Sequence, residues 1–302
     1  TLNSDDNIAC QISLSDNSSA LVVSYNSLLS ILAIEGQPVA GLAGLAGLAG
    51  IQWGKTQYLS LNDTNELFFT ITLAGNVTAS NDTALVRYSL ETQQMAIILR
   101  EGDGIAGTSF IGDLSEYEFV VDPNNQCHLF NRINGPLITT ANDQVLLSIG
   151  DETKLVAQES DNLPTFISGT SLGSALGTSP LISDEDGNLY FVADVNQSGD
   201  SRCQLFQAID STLFGVLGAG DIISSLVGTS FEIESVLPFQ ASYSGGGLPS
   251  PVGNGQLAVI TKTTAGQQLL LRVGNLLDFD EDGFPNIMEA GLGSDPFDFN
   301  VN

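Results

Sequence analysis

Twelve consecutive residues, Asn62 to Leu73, lie over Asn3 to Leu14 without a gap, at an offset of 59 (62 − 3). The same shape returns at Pro123 to Phe130, Asp184 to Phe191 and Val252 to Val259, so that successive starts are 61 (123 − 62), 61 (184 − 123) and 68 (252 − 184) residues apart. A second element recurs independently, each time after an apolar run: Glu35-Gly36-Gln37, Glu101-Gly102-Asp103, Glu159-Ser160-Asp161 and Ala219-Gly220-Asp221. Repetition at such a period restricts the chain to folds in which one small unit buries its apolar surface against copies of itself.

Between the two elements lie short runs with strand character, such as Ala20-Leu21-Val22-Val23, Ala84 to Tyr88, Gln144 to Leu147 and Leu269 to Val273, and another precedes the turn at Tyr117 to Val121 and Ile233 to Leu237. The Asn/Asp-x-x-Gly/Asn step reads as a turn, because Asn and Asp bond their own backbone and Gly or Asn tolerates positive φ. Helical periodicity is nearly absent. The expected fold is therefore all-β: a β-propeller-like array of about five four-stranded units, the last one partial, over residues 1–274, followed by a separate segment over 275–302. The first unit opens on the strand after its turn and the fifth closes early. The unpaired edges predict either ring closure or head-to-tail pairing with copies of the same chain.

These repeats resemble a family of secreted bacterial tandem-repeat proteins built on an Asn-x-x-Gly-x-x-x-Phe unit. Asn62, Asn65 and Phe69 carry the resemblance best, with Asp184, Gly187 and Phe191; the copies at Asn3 and Val252 lack the Phe. The resemblance implies β-propeller-like domains, a surface location and a C-terminal anchor region, and no catalytic residues.

Eight Lys plus Arg against 35 Asp plus Glu give a net charge of −27, which repels nucleic acid and anionic membranes. Hydrophobic residues at 42% against charged residues at 14% place the chain among folded proteins despite its acidity. No apolar run is long enough for a transmembrane segment, and Thr1 to Asp5 lacks the regions of a signal peptide, reading as a mature N-terminus or a fragment boundary. Three lysines in all, Lys55, Lys154 and Lys262, with abundant Asn, Ser and Thr, point to an extracellular or cell-surface location. The sequons starting at Asn17, Asn62, Asn76, Asn81 and Asn196 read as chance in such a composition. Cys10, Cys127 and Cys203 allow at most one disulfide; Cys10 and Cys127 sit in apolar strands as small buried residues, and a Cys127–Cys203 bridge stays open. The glycine-punctuated run Gly41 to Gly50 reads as an apolar loop expansion.

Chemistry is most legible near the C-terminus. Asp278-Phe279-Asp280-Glu281-Asp282-Gly283-Phe284-Pro285-Asn286-Ile287-Met288-Glu289 matches the D-x-D-x-D-G-x5-E calcium loop at every required position. Ca2+ is a hard ion wanting six to eight oxygens. Asp278, Asp280 and Asp282 offer carboxylates, Phe284 its carbonyl, Asn286 a direct or water-mediated oxygen and Glu289 a bidentate pair. The strand-like run before the loop and Pro285 within it depart from an EF-hand, and the segment is similar to thrombospondin type 3-like and dockerin-like loops.

His128 is the only histidine, and neither a nucleophile elbow nor a lysine-bearing phosphate loop is present. The expectation is thus a non-enzymatic secreted or cell-surface structural or binding protein. Its calcium-stabilised tail accompanies a capacity to self-assemble into a filament or surface layer, and its candidate partners are copies of itself and surface polysaccharide. The alternative is a carbohydrate-active β-propeller enzyme working with carboxylates, for which Glu35, Glu101, Glu159 and Asp221 recur at equivalent places.

Overall fold

The computed structural model describes residues 1–38, 50–105, 109–115, 118–163, 170–173, 176, 181–183, 187–197, 200–209, 212–224, 230–236 and 257–273. Among them are 22 strands and no helix. The chain forms two compact units, residues 1–161 and 162–302. The boundary expected at 274/275 and residues 41–49 of the glycine-punctuated run lie outside the described residues.

The first unit contains three antiparallel sheets. The first is β1 (Ile8–Ser13), β2 (Ser19–Tyr25) and β3 (Leu28–Ile34), in that order. The second is β4 (Ile51–Leu61), β5 (Glu66–Gly75), β6 (Thr83–Ser89) and β7 (Met95–Arg100), again in chain order. In the third, β8 (Gly104–Ile105), β9 (Ser109–Ile111) and β10 (Phe119–Val121) lead into β11 (Cys127–Asn134), β12 (Gln144–Ile149) and β13 (Thr153–Gln158). Here β9 and β10 both pair with β11, so together they stand where β4 stands in the second sheet.

The second unit has two sheets of the same plan. One comprises β14 (Thr170–Leu172), β15 (Ile182–Ser183), β16 (Leu189–Gln197), β17 (Asp200–Ile209) and β18 (Thr212–Gly218). The other runs β19 (Ile222–Ser224), β20 (Ser230–Val236), β21 (Leu257–Thr263) and β22 (Gln268–Val273). Up-and-down meanders of about four strands, repeated five times, are the β-propeller-like array that the repeat period predicts.

Packing explains why β5 does not alternate. Leu67, Phe69 and Ile71 join Ala9, Leu21, Val23 and Ala33 of the first sheet in one core. Phe68, Leu85 and Leu99 turn the other way, into a core shared with Cys127, Leu129 and Val145 of the third. A sheet covered on both faces needs apolar residues at successive positions, and each such Leu or Phe stabilises by about 1.5–3 kcal/mol. In the second unit Tyr190, Val192 and Leu205 pack against Ile233, Val236 and Val259 in the same face-to-face manner.

The connector between sheets repeats its first hydrogen bond in all four copies and its second in three. The amides of Glu35, Glu101, Glu159 and Ala219 donate to the carbonyls of Ser19, Thr83, Gln144 and Cys203. One residue on, Gly36, Gly102 and Gly220 donate to Trp53, Ile111 and Ile233 on the next leading strand. That middle residue has φ between +70° and +95° in all four copies, with Ser160 in the third. At Gly102 a Cβ would also meet the Ser80 carbonyl at 3.0 Å. The two strands that end each of the first four sheets share a bulge as well, at Leu21/Val22, Leu85/Val86, Leu146/Leu147 and Leu205/Phe206, which adds twist at one level of every unit.

The third copy of the turn needs a correction of one residue. The positive φ sits at Asn65 and at Asn125, and Asn62 and Asp122 accept from the equivalent amides, so the copy starts at Asp122 and not at Pro123. Leu129 then takes the place of Phe69 in the core. A one-residue slip would have reversed every side chain of β11.

Candidate functional site

The turns that begin β1, β5 and β11 are built alike. Asn3, Asn62 and Asp122 each place Oδ1 on two amides of their own turn: Asp5 and Asn7, Thr64 and Glu66, Asn124 and Gln126. The turns are also tied to one another. Asn65 Oδ1 accepts from the Asn3 side chain at 3.0 Å and from the Asn7 side chain at 2.7 Å. Asn62 donates its amide to Asn125, Thr64 donates to the same oxygen at 2.7 Å, and the Ser4 amide donates to Asp63 at 2.8 Å. The ends of three sheets are thereby joined into one band. Its inner asparagines Asn3, Asn7 and Asn65 are buried, while Ser4, Asp5, Asp63, Thr64 and Asn124 remain exposed. Asn62 has its amide nitrogen engaged inside this band, which leaves it a poor glycosylation acceptor.

The recurrent carboxylates occupy a second position, beside the connector. Glu35 Oε2 accepts from the Ser19 amide at 3.0 Å and the Ser19 hydroxyl at 2.9 Å. Glu101 accepts from the Thr83 hydroxyl at 3.2 Å, and Thr83 in turn accepts from the Leu114 amide. Burial, together with a hydrogen bond shared with Asp82, holds the Glu101 carboxyl above its ordinary range, and Asp113 adds to this. Glu159 is 4% exposed; burial raises it too and Asp143 contributes, against the Gln144 amide that favours its charged form. Its Oε2 has no hydrogen-bond partner among the described residues. Glu35, Glu101 and Glu159 are thus equivalent, each bonded to the first residue of the penultimate strand of its own sheet: Ser19 of β2, Thr83 of β6 and Gln144 of β12.

Asp221 is not their equivalent. Ala219 holds the glutamate position, and Asp221 is the third connector residue, whose carboxylate accepts from the Gly218 amide at 2.7 Å. Asp103 and Asp161 make the same contact to Arg100 and Gln158. The four carboxylates singled out from the sequence therefore split into two structural roles.

His128 is buried on β11 with Nε2 3.3 Å from Asp122 Oδ2, and its Nδ1 is unpartnered among the described residues. Burial pushes the Asp122 carboxyl up, but the bonds from His128, Gln126 and Asn124 prevail and leave it below its usual value. The pair is part of a turn and a core, closed to solvent. All three cysteines are free thiols: Cys127 is buried in the third sheet with its thiol pushed well up by burial, Cys10 is half-buried, and Cys203 donates to the Val236 carbonyl. The residues expected from the sequence to ligate calcium, Asp278, Asp280, Asp282, Phe284, Asn286 and Glu289, lie outside the described residues. Among the residues described, no cluster of three or more His, Cys, Asp or Glu is arranged to hold a metal, and no helix is long and apolar enough to cross a membrane.

No protein-family model and no curated protein matches the chain. Among solved structures it is similar to the polysaccharide lyase Uly1, at 12% identity over 91% of this chain and 57% of the lyase, with a TM-score of 0.38. It is similar also to an α-L-arabinanase of Penicillium chrysogenum, at 8% identity over 91% of this chain and 79% of that one, TM-score 0.37. A third is the GH93 α-L-arabinofuranosidase of Fusarium graminearum, at 8% identity over 90% of both chains, TM-score 0.33. The chain spans little more than half the length of the lyase.

Proposed function

We propose that this chain is an extracellular, cell-surface binding protein that holds polysaccharide, without turning it over, along the band of turns crossing the ends of its first three sheets. The supporting observation is the band itself: side chains of Asn, Asp, Ser and Thr kept in register by inter-turn hydrogen bonds, with Asp5, Asp63, Thr64 and Asn124 exposed. Hydroxyl-rich ligands are recognised by such pre-aligned donors and acceptors, since little ordering is left for binding to impose. The band's acidity selects neutral sugars over anionic ones. Affinity electrophoresis against a panel of neutral polysaccharides tests this: Asp63→Ala with Asn124→Ala should abolish the retardation seen for the unmutated protein, and retardation unaffected by the pair would reject the band.

The tail completes the proposal. Seven acidic residues and no Lys or Arg lie between Asp278 and Asn302, and the oxygen-only donor set of Asp278, Asp280, Asp282, Phe284, Asn286 and Glu289 suits Ca2+. Calcium there offsets part of that negative charge and rigidifies the loop. Calorimetry on the intact protein should show binding that Asp280→Ala with Glu289→Ala removes.

A second reading, a carbohydrate-active enzyme, draws on one feature, the Glu101 carboxyl raised above its ordinary range by burial and by a hydrogen bond shared with Asp82. A side-chain hydrogen bond between the two brings them closer than the separations of about 5–9.5 Å used by paired glycosidase carboxylates. Turnover of any polysaccharide that Glu101→Gln abolishes would move the assignment to this reading.

A further inference from the structure

One face of the first sheet carries exposed apolar residues on both of its flanking strands. Ile8 and Ile12 of β1 correspond, at the 59-residue offset, to Leu67 and Ile71 of β5, which are 0% and 1% exposed because the first sheet packs on them. Ile8 and Ile12 are instead 44% and 39% exposed. Through the register Ile8–Ser24–Leu29 and Cys10–Val22–Ile31, the same face continues onto β3, where Leu29 is 77% and Ile31 58% exposed. Neither β1, β2 nor β3 contains a charged residue, in a chain whose net charge is −27. On the same face Ala20 and Val22 of the middle strand are 2% and 5% exposed, so the exposed apolar residues lie on β1 and β3 to either side of them, and an exposed apolar patch of this kind marks an interaction surface.

The repeat identifies what fits it. In the second sheet the corresponding face is covered by the opposite face of a neighbouring sheet of the same plan, and on such an opposite face the fifth sheet exposes an apolar residue, Leu270. Leu270 of β22 stands across from Ile260 as Leu85 of β6 stands across from Thr70. Leu85 is 0% exposed against the third sheet, whereas Leu270 is 75% exposed. We infer that the outward face of β1–β3 docks the outward face of β21–β22 of a second copy of this chain, so that copies join head to tail.

Such a contact is heterologous and propagates until charge or concentration stops it. Each copy carries −27, so association strengthens as salt or divalent cations screen the repulsion. This inference is independent of sugar binding and of the calcium loop, each of which has its own readout above.

Sedimentation velocity of the intact protein in about 0.5 M salt, where screening confines charge repulsion to a few ångströms, tests it. The expected result is a mass that climbs past the dimer with concentration. Ile31→Lys and, separately, Leu270→Lys should each weaken association at least tenfold; both positions are exposed, so circular dichroism should be unchanged. A 1:1 mixture of the two variants should form a dimer and nothing larger, because one intact face of each kind remains. A protein that stays monomeric throughout, or variants whose mixture fails to dimerise, would overturn the inference.

Discussion

Replacing Asn65 tests whether the turn asparagines bind sheet to sheet. Asn65 is 8% exposed and has φ of 61°. Its Oδ1 is the shared acceptor for the Asn3 and Asn7 side chains, at 3.0 and 2.7 Å. Asn65→Ala removes both bonds, each about 1 kcal/mol, and places a Cβ-bearing residue without Asn's local compensation in the left-handed region, a further ~1 kcal/mol. The sum is about 3 kcal/mol. Asn65→Gly loses the bonds but not the backbone fit, and should cost about 2 kcal/mol. Trp53, the only tryptophan, is 2% exposed and stacks on Phe69 at 6.0 Å, so its fluorescence reports the junction of the first and second sheets. With a urea slope of ~2 kcal/mol/M, the Ala variant should lower the midpoint by about 1.5 M and the Gly variant by about 1 M. A shift below about 0.5 M for Asn65→Ala would refute an energetic role for the inter-turn bonds.

Three other outcomes follow from the carboxylates and thiols. Because the Glu101 carboxyl is raised above its ordinary value near 4.5, the folded state holds that proton longer, and stability falls as pH rises through the interval above 4.5. Glu101→Gln should remove this slope and leave the protein slightly more stable at neutral pH, by less than about 1 kcal/mol, as seen in urea titrations across that range. Asp122 is lowered, so its contribution is complete above the ordinary value of 3.8 and is lost as pH falls through the lower folded value. Asp122→Ala should cost about 2–4 kcal/mol at pH 7, with the gap to the unmutated protein narrowing in acid. Alkylation of the native protein should modify Cys10 and spare Cys127 until urea opens the third sheet, as peptide mass mapping would show.

The turn chemistry was legible because it is local. An Asn or Asp that caps its own amides and a left-handed residue three places on need no distant partner, so Asn62, Asn65 and the Glu-Gly-Asp connector announced strand ends wherever they fell. The loop proposed to bind calcium stands out in the sequence for the same reason, since its candidate ligands come from twelve adjacent residues. The period of the repeat then implied sheets stacked on sheets. Register was not legible in the third copy, where Asp122-Pro123-Asn124-Asn125 offers two overlapping turns and only pairing with β12 chooses between them. Neither was the difference between Asp221 and the three glutamates, because a one-letter similarity two residues apart carries no geometry.

Local chemistry specifies the unit: its length, its turns, its all-β character and the apolar residues that must be covered. Tertiary structure decided the partners. Phe68 and Phe69 are neighbours in sequence yet enter different cores, because pleating sends them to opposite sides of a sheet that is covered twice. Ile8 and Leu67 hold equivalent places in the repeat, and one is exposed while the other is buried. Covering a face requires a second sheet in the right place, a property of the stack that no single repeat encodes.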